Sequence, residues 1–122
     1  MLIIHNGLIH TAVDPTPFVG DILVKDGKIA AVGKNLDEPG VQVVDAAGLN
    51  VYPGFVEAHC HIGLDVYAAG VAGADFNEKG DPLTPQISAI DGIDPFDHHL
   101  KMAAEGGVTC ICTGPGSSNV IG

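Results

Sequence analysis

Residues 51–61 have the sequence VYPGFVEAHCH, an apolar run that ends in two histidines separated by one residue. Positions i and i+2 of a β-strand point to the same face, so a strand here places His59 and His61 together at its carboxyl end. Their Cα atoms would lie roughly 6.5 Å apart, close enough for both rings to bind one metal ion at about 2.0–2.1 Å per bond. For the motif alone, two half-buried structural histidines are the commoner interpretation.

The sequence around the motif resembles the start of the amidohydrolase superfamily, the metal-dependent hydrolases that include dihydroorotase and imidazolonepropionase. The resemblance rests on Pro-Gly-Phe-Val at residues 53–56 followed closely by His-X-His, after a β-rich acidic segment of about fifty residues. Residues 107–117 (GVTCICTGPGS) resemble the second barrel strand and its following loop, most closely in the imidazolonepropionase-like branch. The resemblance implies that His59 and His61 bind a catalytic divalent metal, with zinc as the expected ion.

The resemblance also implies the fold class and the reaction. We expect a mixed α/β chain: an amino-terminal half β-sandwich over residues 1–52, then the first βαβ unit of an incomplete TIM-like (β/α)₈ barrel over residues 53–122. A complete barrel needs roughly 250 residues, whereas the chain has 122. We therefore expect the amino-terminal part of an enzyme that hydrolyses a non-peptide C–N bond in an amide or cyclic amide of a small-molecule substrate. The isolated chain is expected to be inactive, and no catalytic residue is assigned.

Two alternatives from other classes remain open. Cys110 and Cys112 share one face of the second predicted strand, so they could converge with His59 and His61 into a closed Cys₂His₂ structural zinc site. Cys-X-Cys on an extended strand fits such sites less well than a tight knuckle does, and simple packing of buried cysteines is preferred. The other alternative is an assembly fragment without catalysis, which pairs through an unfinished sheet edge.

Charge and cysteine content exclude several partners. The net charge is −10, with five lysines, no arginine and fifteen acidic residues. We therefore expect no binding to nucleic acid or to anionic membranes, because phosphate contacts need cations. Three cysteines, an odd number, argue against a disulfide framework and favour a cytoplasmic protein. No apolar run approaches the ~18–20 residues of a membrane helix, and the first residues do not resemble a secretory signal.

The first fifty residues predict short strands with turns between them. Asn6-Gly7 predicts a hairpin between Leu2–His5 and Leu8–Thr11, and Asp26-Gly27 predicts a second hairpin with a type I′ turn. Residues 41–45 form a further strand. A sheet this small needs a partner layer, so we expect a homo-oligomer or association through the unfinished sheet.

Residues 62–93 are rich in glycine and acidic residues, including Asp75, and lack clear periodicity. We expect a mobile loop rather than an ordered lid. A helix should then begin with Asp94 as its cap and Pro95 in its first turn. Its apolar stripe would contain Phe96, Leu100 and Ala103.

The predicted helix ends at Gly106-Gly107, and a buried strand follows over Val108–Thr113. Strand, helix and strand form a βαβ unit, so the two strands should be parallel. Residues 114–119 would form a loop at the carboxyl end of the second strand, where active sites of such barrels lie.

Overall fold

In a computed structural model, which describes residues 1–74, 76–118 and 120–121, the chain divides into two units, Met1–Pro53 and Gly54–Gly122. The predicted boundary, between residues 52 and 53, lies one residue before this division. Asp75 of the acidic segment and Asn119 of the predicted loop lie outside the described residues. The two units together contain sheets and helices, which confirms the mixed α/β class.

The first unit is built on one five-stranded sheet. Its strands are β1 (Leu2–Ile9), β2 (Phe18–Lys25), β3 (Lys28–Gly33), β4 (Gln42–Asp45) and β5 (Asn50–Val51). β1, β2 and β3 pair antiparallel in sequence, whereas β4 and β5 run parallel to β1 along its other edge. Apolar side chains from β1, β2 and the turn after β4 form the buried core: Ile3, Ile9, Ile22, Leu23 and Ala46. The second layer of the predicted sandwich stays a prediction.

The predicted hairpin at Asp26-Gly27 is confirmed. β2 and β3 are joined by these two residues, with Lys25 opposite Lys28. Both turn residues have positive φ, 51° at Asp26 and 71° at Gly27. This is the backbone conformation that a type I′ turn requires at both central positions.

The predicted hairpin at Asn6-Gly7 is wrong, because these residues lie inside the single strand β1. Asn6 does have a positive φ of 63°, but it produces a β-bulge that shifts the register of β1 against β2. Gly7 is needed at the bulge, since a Cβ there would lie 2.6 Å from Cγ2 of Val51. The conformational freedom of Asn-Gly therefore brings β5 close to β1 instead of reversing the chain.

A buried carboxylate holds the bulge in place. Asp21, only 5% exposed, accepts hydrogen bonds of 3.0 Å from the N–H groups of Asn6 and Leu36. Its Oδ1 atom also lies 3.1 Å from Nδ1 of His5. The N–H of Asn6 is the largest cause that holds the pKa of Asp21 below its ordinary value, and it prevails over the opposing effect of burial. Asp21 thus ties β1, β2 and the segment after β3 together.

Several apolar side chains of the first unit are exposed, and four of them lie on β3 and β4. The exposed side chains include Val19, Ile29, Val32, Val43, Val44 and Leu49. Exposed apolar area of this kind is consistent with a covering layer. The expected association through the sheet stays a prediction.

The second unit is organised around two parallel strands. Its elements are β6 (Phe55–Cys60), a 3-10 helix (Gly70–Gly73), β7 (Leu83–Thr84), α1 (Ala89–Gly92), α2 (His98–Glu105), β8 (Val108–Thr113) and β9 (Val120–Ile121). β6 pairs parallel with β8, and β7 pairs parallel with β9. The predicted strand over Val108–Thr113 and its parallel pairing with β6 are confirmed. Its predicted burial is wrong, because the residues of β8, including Cys110 and Cys112, are exposed or half-buried. Residues 62–93, expected to be a loop, contain three short elements.

The predicted start of the helix is wrong by several residues. The C=O of Asp94 accepts from the N–H of Asp97 at 3.2 Å, so Pro95 occupies the second position of a β-turn, which its fixed φ also favours. Asp97 is the helix cap, and its side chain accepts from the N–H of His99. Phe96 lies before the helix and is 91% exposed, so the predicted stripe lacks its first member. Gly107, with a φ of 89°, ends the helix as predicted.

Asp97 also fixes the backbone that follows β6. It is 3% exposed and accepts from the N–H of Gly63 at 2.8 Å and from that of His99 at 3.1 Å. Burial alone would raise the pKa of Asp97, but these hydrogen bonds and the nearby His99 ring outweigh it and hold the pKa below its ordinary value. Within the described residues, no helix is long and apolar enough to cross a bilayer.

Replacing Asp21 by Ala should lower the free energy of unfolding by about 2–4 kcal/mol, because two backbone N–H groups lose their acceptor in a buried place. Urea unfolding followed by circular dichroism measures the change. Asp37→Ala, at an exposed position after β3, is the matched control and should change little. An equal loss in both variants would contradict the assigned role.

The contribution of Asp21 should also depend on pH. Its folded-state pKa lies below the ordinary value of about 3.9, so its stabilisation is present above that value and is lost as the pH falls through the folded pKa. The stability difference between the wild type and Asp21→Asn should shrink as the pH falls from about 5 to below about 4. Unfolding curves at several pH values test this; a difference that grows in acid would refute it.

Replacing Asp97 by Ala should cost about 2–3 kcal/mol, because the helix loses its cap and Gly63 loses a buried acceptor. Thermal unfolding gives the total effect. Faster amide hydrogen exchange at Gly63 and His99 would assign it to the two lost bonds. Asp91→Ala, exposed on α1, serves as the control. Unchanged exchange at Gly63 would argue against the role.

Candidate metal centre

The two histidines of the His-X-His motif lie side by side at the end of β6. His59 is within the strand and exposed, whereas His61 follows the strand and is half-buried. Their ring centroids are 5.2 Å apart and the ring planes meet at 80°. The alternation of the strand brings the two rings together as the sequence predicts.

This separation suits a shared ion. Two imidazoles on one tetrahedral metal, at about 2.0–2.1 Å per bond, have their ring centroids roughly 5 Å apart. The observed distance of 5.2 Å agrees with that arrangement. His59 and His61 therefore fit a metal as two of its ligands.

The ring of His61 is oriented by a backbone carbonyl. Its Nδ1 atom lies 2.7 Å from the carbonyl oxygen of Gly114, the residue that follows β8. A carbonyl only accepts hydrogen bonds, so Nδ1 carries the proton and donates it. In the neutral ring Nε2 is then left with its lone pair for a metal, which is the outer-shell arrangement found in many metal sites.

The carboxyl ends of the two parallel strands are joined by further hydrogen bonds. Thr113 Oγ1 donates to the carbonyl of Ile62 at 2.7 Å, and the N–H of Gly114 donates to the carbonyl of Cys60 at 3.2 Å. The N–H of Gly63 donates to Asp97. The backbone on both sides of His61 is therefore held by residues distant in sequence.

Glu57 lies two residues before His59 and is the nearest carboxylate along the strand. Its Oε1 atom accepts from the N–H of His59 at 3.0 Å. This bond folds the carboxylate back onto its own strand. In this conformation Glu57 supports the backbone of the motif.

Phe76, from the segment between β6 and α2, stacks on His61. The two ring centroids are 5.5 Å apart with the planes inclined by 20°. Phe76 also lines a cavity of about 420 Å³, together with Leu64, Asn77, Glu78, Gln86, Ile87, Ser88, Ala89, Asp91, Gly92 and Pro115. A cavity with both apolar and polar lining residues, including the carboxylates of Glu78 and Asp91, thus adjoins the residue that stacks on His61.

The cysteines are not gathered with the histidines. In the pairing of β6 with β8, Cys110 stands opposite Val56, and Thr113, not a cysteine, stands opposite Cys60. Cys110 and Cys112 are free and exposed. Across residues 1–74, 76–118 and 120–121, no three His, Cys, Asp or Glu side chains form a group that could hold a metal. The described residues therefore do not assemble the four-residue site of the first alternative.

Two groups that contact His61 could not be predicted from the sequence. Phe76 lies in a segment without periodicity, and the contribution of Gly114 is a carbonyl, which every residue has. Asp97 carried a detectable signal, an acidic residue directly before the helix, but Pro95 made Asp94 the more attractive cap.

The chain is similar to several known proteins. No family model matches the chain. The D-hydantoinase of Geobacillus stearothermophilus is 45% identical over 78 residues, which cover 64% of this chain and 16% of that enzyme. The dihydroorotase of Solibacter usitatus is 31% identical over 119 residues, 98% of this chain and 22% of the relative. The chain thus spans less than a quarter of the length of these two relatives.

A solved structure also has a fold similar to that of this chain. The crystal structure of an amidohydrolase from Thermotoga maritima MSB8 matches 98% of this chain and 31% of its own, with a TM-score of 0.91 and 40% sequence identity. The finer placement in the imidazolonepropionase-like branch stays a prediction. Sequence and structural similarity together show that the chain belongs to the amidohydrolase superfamily.

Proposed function

We propose that this chain supplies the first two metal ligands, His59 and His61, of an enzyme that hydrolyses a non-peptide C–N bond in an amide or a cyclic amide. The observation that carries the proposal is the paired orientation of the two rings at the carboxyl end of β6, with Nδ1 of His61 bonded to Gly114. The relatives named D-hydantoinase, dihydroorotase and allantoinase support a cyclic amide as the substrate class.

The surrounding fold would be a (β/α)₈ barrel with β6 and β8 as its first two strands. Their parallel pairing around α2 supports this, since a parallel pair needs a crossover connection. Phe55 and Val56 of β6 are 54% and 70% exposed, although strands of parallel sheets are covered on both faces. Neighbouring barrel strands and helices would cover these side chains.

A divalent metal bound here, with zinc as the expected ion, would supply a hydroxide near neutral pH and polarise the substrate carbonyl. The role of His59 and His61 is to hold the ion, and that of Gly114 is to keep the proton of His61 on Nδ1. Catalytic zinc takes three protein ligands and a water. The remaining ligand and the proton-transferring group would therefore come from outside the described residues, so this chain alone would be inactive.

We also propose a cellular location and a class of binding partner. The free thiols of Cys60, Cys110 and Cys112 suit a reducing compartment such as the cytoplasm. The expected partner is a small-molecule substrate, since a charge of −10 opposes nucleic acid and anionic membranes.

Replacing His59 or His61 by Ala should weaken zinc binding by the chain at least tenfold, because each change removes one of two ligands. Equilibrium dialysis with zinc, read by elemental analysis, measures the dissociation constant. Wild-type affinity should also fall in mild acid, because only neutral imidazole binds the ion.

The control for this experiment is His98→Ala, an exposed histidine on α2 of the same unit, which should bind zinc like the wild type. Equal weakening in all three histidine variants would refute the assignment. Weakening in Cys110→Ala or Cys112→Ala as well would favour the structural zinc module instead.

A further inference from the structure

His61 is supported from two segments that are remote from it in sequence. Its Nδ1 atom donates to the carbonyl of Gly114, 2.7 Å away. Phe76 covers its ring at a centroid distance of 5.5 Å with nearly parallel planes. The hydrogen bond fixes one edge of the imidazole and the stacked ring limits rotation of its plane. His59 is exposed, so the two ligands differ in how firmly they are held.

Phe76 is itself held by the loop after β8. The carbonyl of Phe76 accepts a hydrogen bond from the N–H of Gly116. The hydroxyl of Ser118 donates to Oδ1 of the neighbouring Asn77 at 2.9 Å. The loop that supplies the carbonyl for His61 therefore also fixes the segment that carries its stacking partner.

The loop and the Phe76 segment are in close contact at Gly116. Gly116 is buried, and a Cβ atom built there would overlap the side chain of Asn77 and lie 3.1 Å from Cδ2 of Phe76. A larger residue at Gly116 would therefore displace the side chain of Asn77 and press on the ring of Phe76.

From these contacts we infer that Phe76 is a positioning residue for the metal ligand His61, held in place by the loop Gly114–Ser118. Its ring keeps the imidazole in the rotamer that donates Nδ1–H to Gly114, so that Nε2 keeps its lone pair for the metal. The inference rests on the proposed function for the metal, but the orientation of the ring is a property of the chain without metal. Outer-shell groups of this kind affect metal affinity strongly, because they determine the tautomer and direction of the ligand.

The test compares Phe76→Leu, which keeps an apolar side chain and removes the ring, with Phe76→Tyr, which keeps the ring. Long-range ¹H–¹⁵N spectra of the metal-free chain report the tautomer of each histidine. In the wild type and in Phe76→Tyr we expect His61 as the Nδ1–H tautomer, with its carbon-bound protons shifted by the aromatic ring current. In Phe76→Leu the tautomers should mix and the shift should disappear, while the signals of His59 change little.

Zinc binding is the second readout. Phe76→Leu should raise the dissociation constant by about tenfold, the lower end for losing an outer-shell partner, and Phe76→Tyr should restore it. Phe96→Leu is the matched control, because this phenylalanine of the same unit is exposed and distant in sequence from the motif. It should change neither the His61 spectrum nor the affinity.

Unchanged His61 signals and unchanged affinity in Phe76→Leu would overturn the inference. If that variant does not fold, Phe76→Met decides, since it keeps an unbranched apolar side chain and removes only the ring: altered His61 signals support the inference and unaltered ones overturn it. Failure of the proposed function gives a different result, because His61→Ala would then bind zinc as tightly as the wild type. Loss of binding in His61→Ala with none in Phe76→Leu would remove the positioning role alone.

Discussion

The hydrogen bond from Nδ1 of His61 to the carbonyl of Gly114 joins the ends of the two parallel strands at the point where chemistry is expected. It fixes the direction and the tautomer of a half-buried imidazole, which the proposed role of His61 as a metal ligand requires. The bonds of Thr113 and Asp97 to the backbone around His61 add to its effect. Two strands and one crossover helix are therefore enough to orient His61, one of the two proposed metal ligands.

The two units differ in how many apolar side chains they bury. The sheet of the first unit buries five apolar side chains, and its polar bulge is satisfied by Asp21. In the second unit, the described residues bury only one large apolar side chain, that of Leu64. In this unit, hydrogen bonds between the strand ends and the buried helix cap Asp97 contribute more to holding the backbone in place. Such bonds are directional, which suits the neighbourhood of a site whose ligands need exact placement.

The sequence was most informative where a repeating geometry acts over a few residues. Strand alternation predicted the meeting of His59 and His61, and the dipeptide Asp26-Gly27 predicted its hairpin, because each depends on local backbone geometry alone. Asn6-Gly7 has the same local preference, yet the burial of Asp21 and the approach of β5 use it for a bulge. The local preference of Asn-Gly allows a positive φ, and tertiary contacts determine whether that backbone conformation forms a hairpin turn or a bulge.

Other features could not be predicted because they depend on contacts between distant segments. Asp97, and not Asp94, is the helix cap. Its carboxylate also accepts a hydrogen bond from the N–H of Gly63, thirty-four positions away in the sequence. The loop after β8 holds Phe76 against the ring of His61, and no residue pattern near Phe76 predicts this contact. The pairing of His59 and His61 was therefore predictable, whereas the groups that orient His61 were not.

The two-stranded sheet of β6 and β8 has a consequence for behaviour in solution. Among the described residues each strand pairs only with the other, so each leaves an outer edge that could bond to a strand of another molecule. At neutral pH the charge of −10 makes the molecules repel one another. Added salt screens this repulsion, and acid near the isoelectric point of about 4.6 abolishes it. The colloidal stability of the chain therefore rests on long-range electrostatic repulsion acting against short-range backbone pairing.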